Sequence, residues 1–303
     1  MAGASADPRV WDAGHRPTLG APMEPTFHVL VPAYGASPYL DETLRSVLAA
    51  ADDGTLVTVV DDGTPGDSIA RIAVELGSAV EYVRLDENLG VAGAFQACAD
   101  LSRGTYTVIL GSDDAFGTAY VADLRDLVRR FGRVEMLITG VDVIDAAGRE
   151  TLPTADRVKR WIAPRGHDPG LLSGQPLVAS LAMGNWLYFP AVAWRTDVLQ
   201  HHGFRQDMTT SMDLDLVLRI VFDGGALARS PRRSFRYRRH QGSVSSLEAV
   251  SGDRFDEERS LYGWVVAQCR SRRWWIAAAA AVLRPTTRLH ALLAGAGRLR
   301  PGR

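Results

Sequence analysis

From residue 27 onward, short apolar runs alternate with segments whose apolar residues recur every three or four positions. Runs at residues 27–31, 56–60, 80–85 and 106–110 have the length and β-branched character of buried strands, the first stopped by Pro32. Leu40, Leu44, Val47 and Leu48 share one helical face; Ile69, Ile72, Ala73 and Leu76 share another, closed by Gly77. A further helix opens at Asn88-Leu89-Gly90, runs to about residue 102 and stops at Gly104. Four strand–helix units with short connections predict an α/β fold with a parallel, doubly wound sheet.

The pattern then changes. A helix near residues 120–131 leads into an apolar run at 134–144, and Asp145-Ala146-Ala147-Gly148 reads as a turn. Residues 153–176, rich in Pro, Gly and Arg, read as a mobile loop. A helix about 177–183, an apolar patch at 186–189 and a helix at 192–202 closed by Gly203 follow. Residues 212–222 form a strongly apolar helix carrying Asp213, Asp215 and Arg219, and 227–237 read as one more strand, ending at His240. No repeat at a solenoid period is present. The organisation expected is a flexible lead at 1–26, a first half at 27–118, a second half at 119–245, and a basic helical tail at 246–303.

Bulk properties narrow the classes. The 303 residues suffice for one large domain or two smaller ones, and 46% hydrophobic with 23% charged residues is ordinary for a globular protein. A net charge of −1 gives no global field to recruit nucleic acid. Cys98 and Cys269 are no disulfide framework and fit a reducing cytosol. Lys159 is the only lysine, and the arginine and alanine bias points to a GC-rich bacterial genome. The first 25 residues lack the apolar segment of a signal peptide. The longest apolar candidate, 274–283, falls short of the roughly 20 residues needed to span a bilayer. A cytoplasmic protein is expected, on the inner face of the cell membrane if its tail docks there.

Two acidic pairs carry the chemistry. Asp61-Asp62 follows the strand at 56–60, and Asp113-Asp114 follows the strand at 106–110. Adjacent carboxylates repel, so they call for a cation or hydrogen-bond donors. In open α/β sheets, the carboxyl ends of the strands border the ligand crevice. A metal and a hydroxyl-rich, phosphorylated ligand are the functional reading; helix caps and turns are the structural one.

The ordered segments Val31-Pro32-Ala33-Tyr34, Val59-Val60-Asp61-Asp62-Gly63-Thr64, Asn88-Leu89-Gly90-Val91-Ala92-Gly93-Ala94, Ser112-Asp113-Asp114, Gly203-Phe204, Asp213-Leu214-Asp215-Leu216 with Arg219, and Tyr237-Arg238-Arg239-His240 resemble the family 2 glycosyltransferases over residues 27–245. The resemblance implies a GT-A fold: a Rossmann-like sandwich with a mostly parallel central sheet flanked by helices, here followed by a helical C-terminal tail. It also implies a nucleotide-diphosphosugar donor (UDP or dTDP) bound by the half at 27–118, acceptor binding and catalysis in the half at 119–245, a divalent cation, Mn²⁺ or Mg²⁺, and inversion at the anomeric carbon. Pro32 would let the loop at Tyr34 face the base, and Asp62 would accept the base's imide N–H. Gly90 would sit in a small-residue helix opening that the donor approaches closely. By the same resemblance Asp113 would contact the ribose, Asp114 the metal, and His240 the metal or diphosphate. Asp213 would be the catalytic base, with the structural reading of a helix cap beside it; Asp215 and Arg219, four apart, can pair along the helix. For His240 the structural alternative is a satisfied side chain, and Asp61 stays open between site and turn.

The activity expected is non-processive transfer to a hydroxyl of a lipid-linked or cell-surface polysaccharide acceptor. Gly111 stands where many relatives carry Asp, which motivates a second reading as a non-catalytic nucleotide-sugar-binding module. Arg270-Ser271-Arg272-Arg273-Trp274 fits a pattern that processive synthases place beside the acceptor channel, but no spanning helices follow. A sugar nucleotidyltransferase would open with a glycine-rich loop rather than Pro-Ala-Tyr. The basic tail, with Arg284 and Arg288 and no acid after Glu258, either docks on an anionic membrane or packs on its own domain. The oligomeric state is not legible.

Overall fold

The computed structural model describes residues 26–166, 168–208, 210–240 and 253–283. Apart from Thr26, the expected lead-in lies outside these residues, as do Arg284 and Arg288. In the first half, β1 (Phe27–Ala33), β2 (Thr55–Asp61), β3 (Glu81–Arg84) and β4 (Tyr106–Ile109) alternate with α1 (Leu40–Ala50), α2 (Ser68–Leu76) and α3 (Gly90–Leu101). The strands lie side by side as β3-β2-β1-β4, all parallel. Helices cover both faces of such a sheet, which is why β1 is buried at nearly every position. In α1, Leu40, Thr43, Leu44, Val47 and Ala50 are buried, the single face that a helical period of 3.6 supplies.

Contrary to the reading of the sequence, Pro32 does not stop β1. The strand pairs with β2 through Ala33, whereas its pairing with β4 ends at Leu30. Leu30 O accepts from Leu110 N–H on the β4 side. Two residues on, Pro32 faces that side beyond the end of the ladder, where its missing N–H is not needed.

The second half contributes β5 (Ala115–Phe116), α4 (Tyr120–Phe131), β6 (Met136–Ile144), α5 (Thr154–Ile162), β7 (Gly170–Ser173), α6 (Gly174–Met183), β8 (Val192–Arg195), α7 (Thr196–His202), α8 (Met212–Phe222) and β9 (Ala226–Arg238). Among the described residues one nine-stranded sheet runs β3-β2-β1-β4-β8-β6-β9-β5, with β7 also on β9. β8 lies antiparallel between β4 and β6, and β6 pairs parallel with β9. The core is continuous through both halves.

Two further segments depart from the expected elements. Residues 153–176 are not a loop: they contain α5 and β7. Ala155, Val158 and Ile162 do recur at helical spacing, but α5 is only nine residues long and its one fully buried side chain, Asp156, is polar. Residues 192–202 are not one helix but strand β8 followed by α7. Val192, Ala193 and Trp194 are buried in succession, and such a run looks alike in a strand and a buried helix. Strand β9 slips register against β6 on either side of Gly140. A Cβ at Gly140 would come within 2.9 Å of the carbonyls of Pro231 and Arg232, so the close approach requires glycine. Pro231 is tolerated because it sits in this bulged stretch. Beyond the bulge, β9 delivers Tyr237, Arg238, Arg239 and His240 to the carboxyl edge of the sheet.

His28 shows how β1 is bound to its neighbours. Its Nδ1 accepts the Arg103 N–H at 3.0 Å, and its Nε2 lies 2.8 Å from the Thr58 hydroxyl, which itself donates to Glu81 at 2.9 Å. The ring is therefore neutral, with its proton on Nε2. Burial, then the Arg103 charge, holds its pKa at about 4. Above the ordinary value of about 6.5 this costs nothing. As pH falls from there to about 4, the unfolded chain takes up a proton that the folded ring refuses, so up to roughly 3 kcal/mol of stability is lost. Urea denaturation between pH 7 and 4.5 should show a steeper loss for the wild type than for His28→Gln; equal slopes would remove His28 from the account.

Candidate active site

The carboxyl ends of β1, β2 and β4, the start of α3, helix α5, residues 185–190 and the start of α8 enclose a cleft of about 1160 Å³. Pro32, Tyr34, Asp62, Gly90, Asp113, Asp114, Asp213 and His240 all line it.

The first acidic pair divides its work. Asp61 is buried and accepts from Thr64 N–H at 2.8 Å and Tyr82 O–H at 2.7 Å, which makes it a turn-holding residue. Asp62 faces the cleft and accepts from Leu89 N–H at 2.8 Å and Gly90 N–H at 3.1 Å, fixing the start of α3. Asn88 Oδ1 also accepts from Gly90 N–H at 3.0 Å. The N–H groups of Leu89 and Gly90 at the opening of α3 are thus already bonded. Each Asp62 oxygen keeps a second lone pair for a base. Asp62→Ala should weaken UDP or dTDP binding by about 1–3 kcal/mol, the scale of a lost charge-assisted bond. Calorimetry at matched metal concentration decides: an unchanged dissociation constant confines Asp62 to holding α3.

The second pair is arranged around Gly111. A Cβ there would meet Asp113 Oδ1 at 2.9 Å and Asp114 Oδ2 at 3.0 Å, so both carboxylates turn into the space a side chain would fill. Asp114 is buried, and its Oδ1 accepts from Arg238 N–H at 2.8 Å. Burial, and next the Asp113 charge, push its pKa well up. Two carboxylate oxygens converging on one gap fit a hard cation. Among the described residues no three His, Cys, Asp or Glu side chains group to hold an ion alone. Oxygens of a bound diphosphate would complete the shell, as is usual for Mg²⁺. His240 Nε2 lies 2.9 Å from Asp113 Oδ2, and its ring lies beside Tyr39.

Arg238 ties this edge together. Its guanidinium is buried, lies over the Tyr39 ring, and donates to Glu42 at 2.7 Å and to Asp113 O at 2.7 Å. The rest of the basic run on β9 is not a phosphate clamp. Arg232 pairs with Asp123 and Asp126, Arg233 with Asp142, and Arg229 donates to Gly166 O. Arg239 lines the cleft but pairs with buried Asp156.

On the other wall, Asp213 is half-buried at the start of α8. Its Oδ1 accepts from Leu214 N–H at 2.6 Å, and Asn185 Nδ2 lies 3.5 Å from Oδ2. Burial raises its pKa from the ordinary carboxylate value. Asp215 points the other way, into the core, where Arg219 donates to it at 2.7 Å. Sequence reasoning missed the neighbours that shape this wall. Lys159 on α5 donates to Leu187 O at 2.9 Å and lies over the Tyr188 ring, whose hydroxyl donates to Asp156 at 2.8 Å. Leu187 N–H in turn donates to Asn185 Oδ1 at 3.2 Å, which orients the Asn185 amide toward Asp213. A lone lysine in an arginine-rich chain was the one available signal.

A family model described as glycosyl transferase family 2 matches residues 28–195. The chain belongs to glycosyltransferase family 2. This glycosyltransferase is 26% identical over 290 residues to a Mycobacterium tuberculosis protein of uncharacterized role, covering 89% of each chain. It is 25% identical over 227 residues to the succinoglycan biosynthesis protein ExoO of Rhizobium meliloti, covering 74% of this chain and 63% of ExoO. Among solved structures, S. aureus TarS 1-349 in complex with UDP-GlcNAc superposes with a TM-score of 0.60 at 17% identity, covering 80% of this chain and 66% of that one. At that identity the likeness establishes the fold, which is GT-A. The glycosyltransferase thus spans less than two thirds of ExoO and of the TarS chain. Among its described residues, no helix is long and apolar enough to cross a membrane.

Proposed function

We propose that this glycosyltransferase moves a sugar, with inversion and with the help of a divalent cation, from a UDP- or dTDP-sugar to a hydroxyl of a lipid-linked or cell-surface polysaccharide acceptor. The observation that carries the proposal is the shared cleft: Asp62, Asp113, Asp114 and His240 line its donor side, and Asp213 lines the wall formed by α8. The name of ExoO supports a polysaccharide acceptor, and the UDP-GlcNAc complex of TarS supports a nucleotide-sugar donor.

In this reading the nucleotide lies along the carboxyl ends of β1, β2 and β4, with its base against Tyr34 and Asp62 and its ribose at Asp113. Asp113 and Asp114 would hold Mg²⁺ or Mn²⁺, which supplies offsetting charge for the departing diphosphate. The acceptor hydroxyl gives its proton to the Asp213 carboxylate as its oxygen bonds to the anomeric carbon. The bond from that carbon to the diphosphate breaks, and its electron pair leaves with the nucleotide. A non-processive course is favoured by the position of Arg272 and Trp274. Both pack on Phe222, at the opposite end of α8 from Asp213, and not in the cleft.

The test is a panel of UDP- and dTDP-sugars scored for slow hydrolysis, beside calorimetry with UDP and dTDP in Mn²⁺. Nucleotide release from one donor class, with matching nucleotide affinity, is expected. Failure of both nucleotides to bind at millimolar concentration would sink the proposal, and binding without release from any sugar would favour the non-catalytic module.

A further inference from the structure

Helix α9 (Asp253–Ser271) and helix α10 (Trp275–Leu283) close the described chain. Helix α10 packs on α6 from a shared start: Ile276 N–H donates to the Gln175 side chain at 3.1 Å, and the Trp274 ring lies 3.8 Å from where a Gly174 Cβ would stand. Its inward residues, Ala277, Ala278, Ala280 and Ala281, are buried. Its outward residues are apolar as well. Trp275 is 62% exposed, Ile276 70% and Leu283 56%, with exposed Ala279 between them. These positions form one stripe at helical spacing. No side chain of α10 is charged, and the one polar group is the indole N–H of Trp275.

We propose that this stripe, with Arg270 and Arg273 at its head, docks the enzyme on an anionic lipid surface. A helix apolar on every side needs an apolar medium on each side. The protein core supplies one, and nine residues are too few to cross a bilayer, so the outer face is suited to lie in the lipid interface. Trp275, at the end beside the arginines, is the residue type that prefers that boundary. Charge selects lipid over the other occupants. After Glu258 the sequence holds nine arginines and no acid. A second copy meeting this face across a twofold axis would bring its own arginines against these. Residues 284–303 carry five of the nine and would add like charge by folding back. Anionic headgroups offset all of it. Arg272, over the Phe222 ring with its guanidinium on the Phe222 carbonyl, belongs to the packing of the tail instead.

The experiment is vesicle sedimentation of the full chain. Wild type should sediment with phosphatidylglycerol-containing vesicles at low salt, leave them at high salt, and ignore pure phosphatidylcholine. Trp275→Ser with Ile276→Ser, and separately Arg270→Glu with Arg273→Glu, should each weaken binding at least tenfold while calorimetric UDP affinity stays unchanged. Because UDP affinity is read separately, failure of the donor assignment leaves the docking result interpretable. No sedimentation of wild type, or equal sedimentation with neutral vesicles, overturns the proposal. So does a dimer in ultracentrifugation that the Trp275/Ile276 pair abolishes. Vesicle binding seen only after residues 284–303 are removed would assign the face to that segment and overturn it too.

Discussion

Asp213→Asn is expected to lower turnover about 100-fold or more while leaving nucleotide and metal affinity unchanged, the usual scale for removing a general base. The amide fits the same space at the start of α8 but cannot take a proton from the acceptor. Burial raises the wild-type carboxyl, so turnover should climb with pH through a limb shifted upward from that of an exposed carboxylate. Asn185 and the Lys159 charge favour the ionised form, and Asp113, Asp114, Arg239 and His240 line the same cleft. Removing the amide in Asn185→Leu should therefore move the limb to higher pH without altering UDP affinity. Asp215→Asn separates the readings. It breaks the pair with Arg219, whose guanidinium also donates to the carbonyls of His202 and Gly203 at 2.6 Å, so lost stability is its expected signature. Turnover abolished by Asp215→Asn in a folded protein, with Asp213→Asn active, would exchange the two roles.

Asp114→Asn is expected to abolish activity while the fold persists, and EDTA should do the same to the wild type, reversibly on adding Mn²⁺. A neutral amide is a poor ligand for a hard cation. The fold should survive because Arg238 N–H can still donate to the amide oxygen. Direct Mn²⁺ binding by electron paramagnetic resonance supplies a readout apart from turnover. With Asp114 pushed well up, the proton competes with the cation, so affinity should fall as pH falls. A variant that turns over normally, or a wild type indifferent to EDTA, would show the metal assignment to be wrong.

What the sequence disclosed depended on which side chains carried the signal. β1, β2 and β4 are buried apolar runs, and α1, α4 and α8 have periodic or continuous apolar faces, so all six stood out. Asp213 and Asp215, two apart on a helix, could be assigned opposite directions before any coordinates. Helix α5 escaped because it is a short helix in a Pro-, Gly- and Arg-rich segment, and its one fully buried side chain, Asp156, is polar. β8 escaped because burial on both faces erases the alternation that marks a strand. The partners of the β9 arginines were hidden for another reason. Glu42 and Asp156 are far from Arg238 and Arg239 in sequence, and only the fold brings each pair together.

The separation of these partners bears on how the enzyme is made. Arg238 reaches Glu42 across 196 positions, and His240 reaches Asp113 across 127. While the chain is being synthesised, the first four strands can pair and carry both acidic pairs to their edge. Until β9 arrives, Asp113 and Asp114 repel each other without the Arg238 N–H, its guanidinium or the His240 ring. The donor edge is thus sealed by nearly the last piece of the sheet to emerge. On the proposed assignment, an incomplete chain would present the nucleotide motifs without a finished place for the nucleotide, so binding of a costly activated sugar would come only to molecules that also possess Asp213.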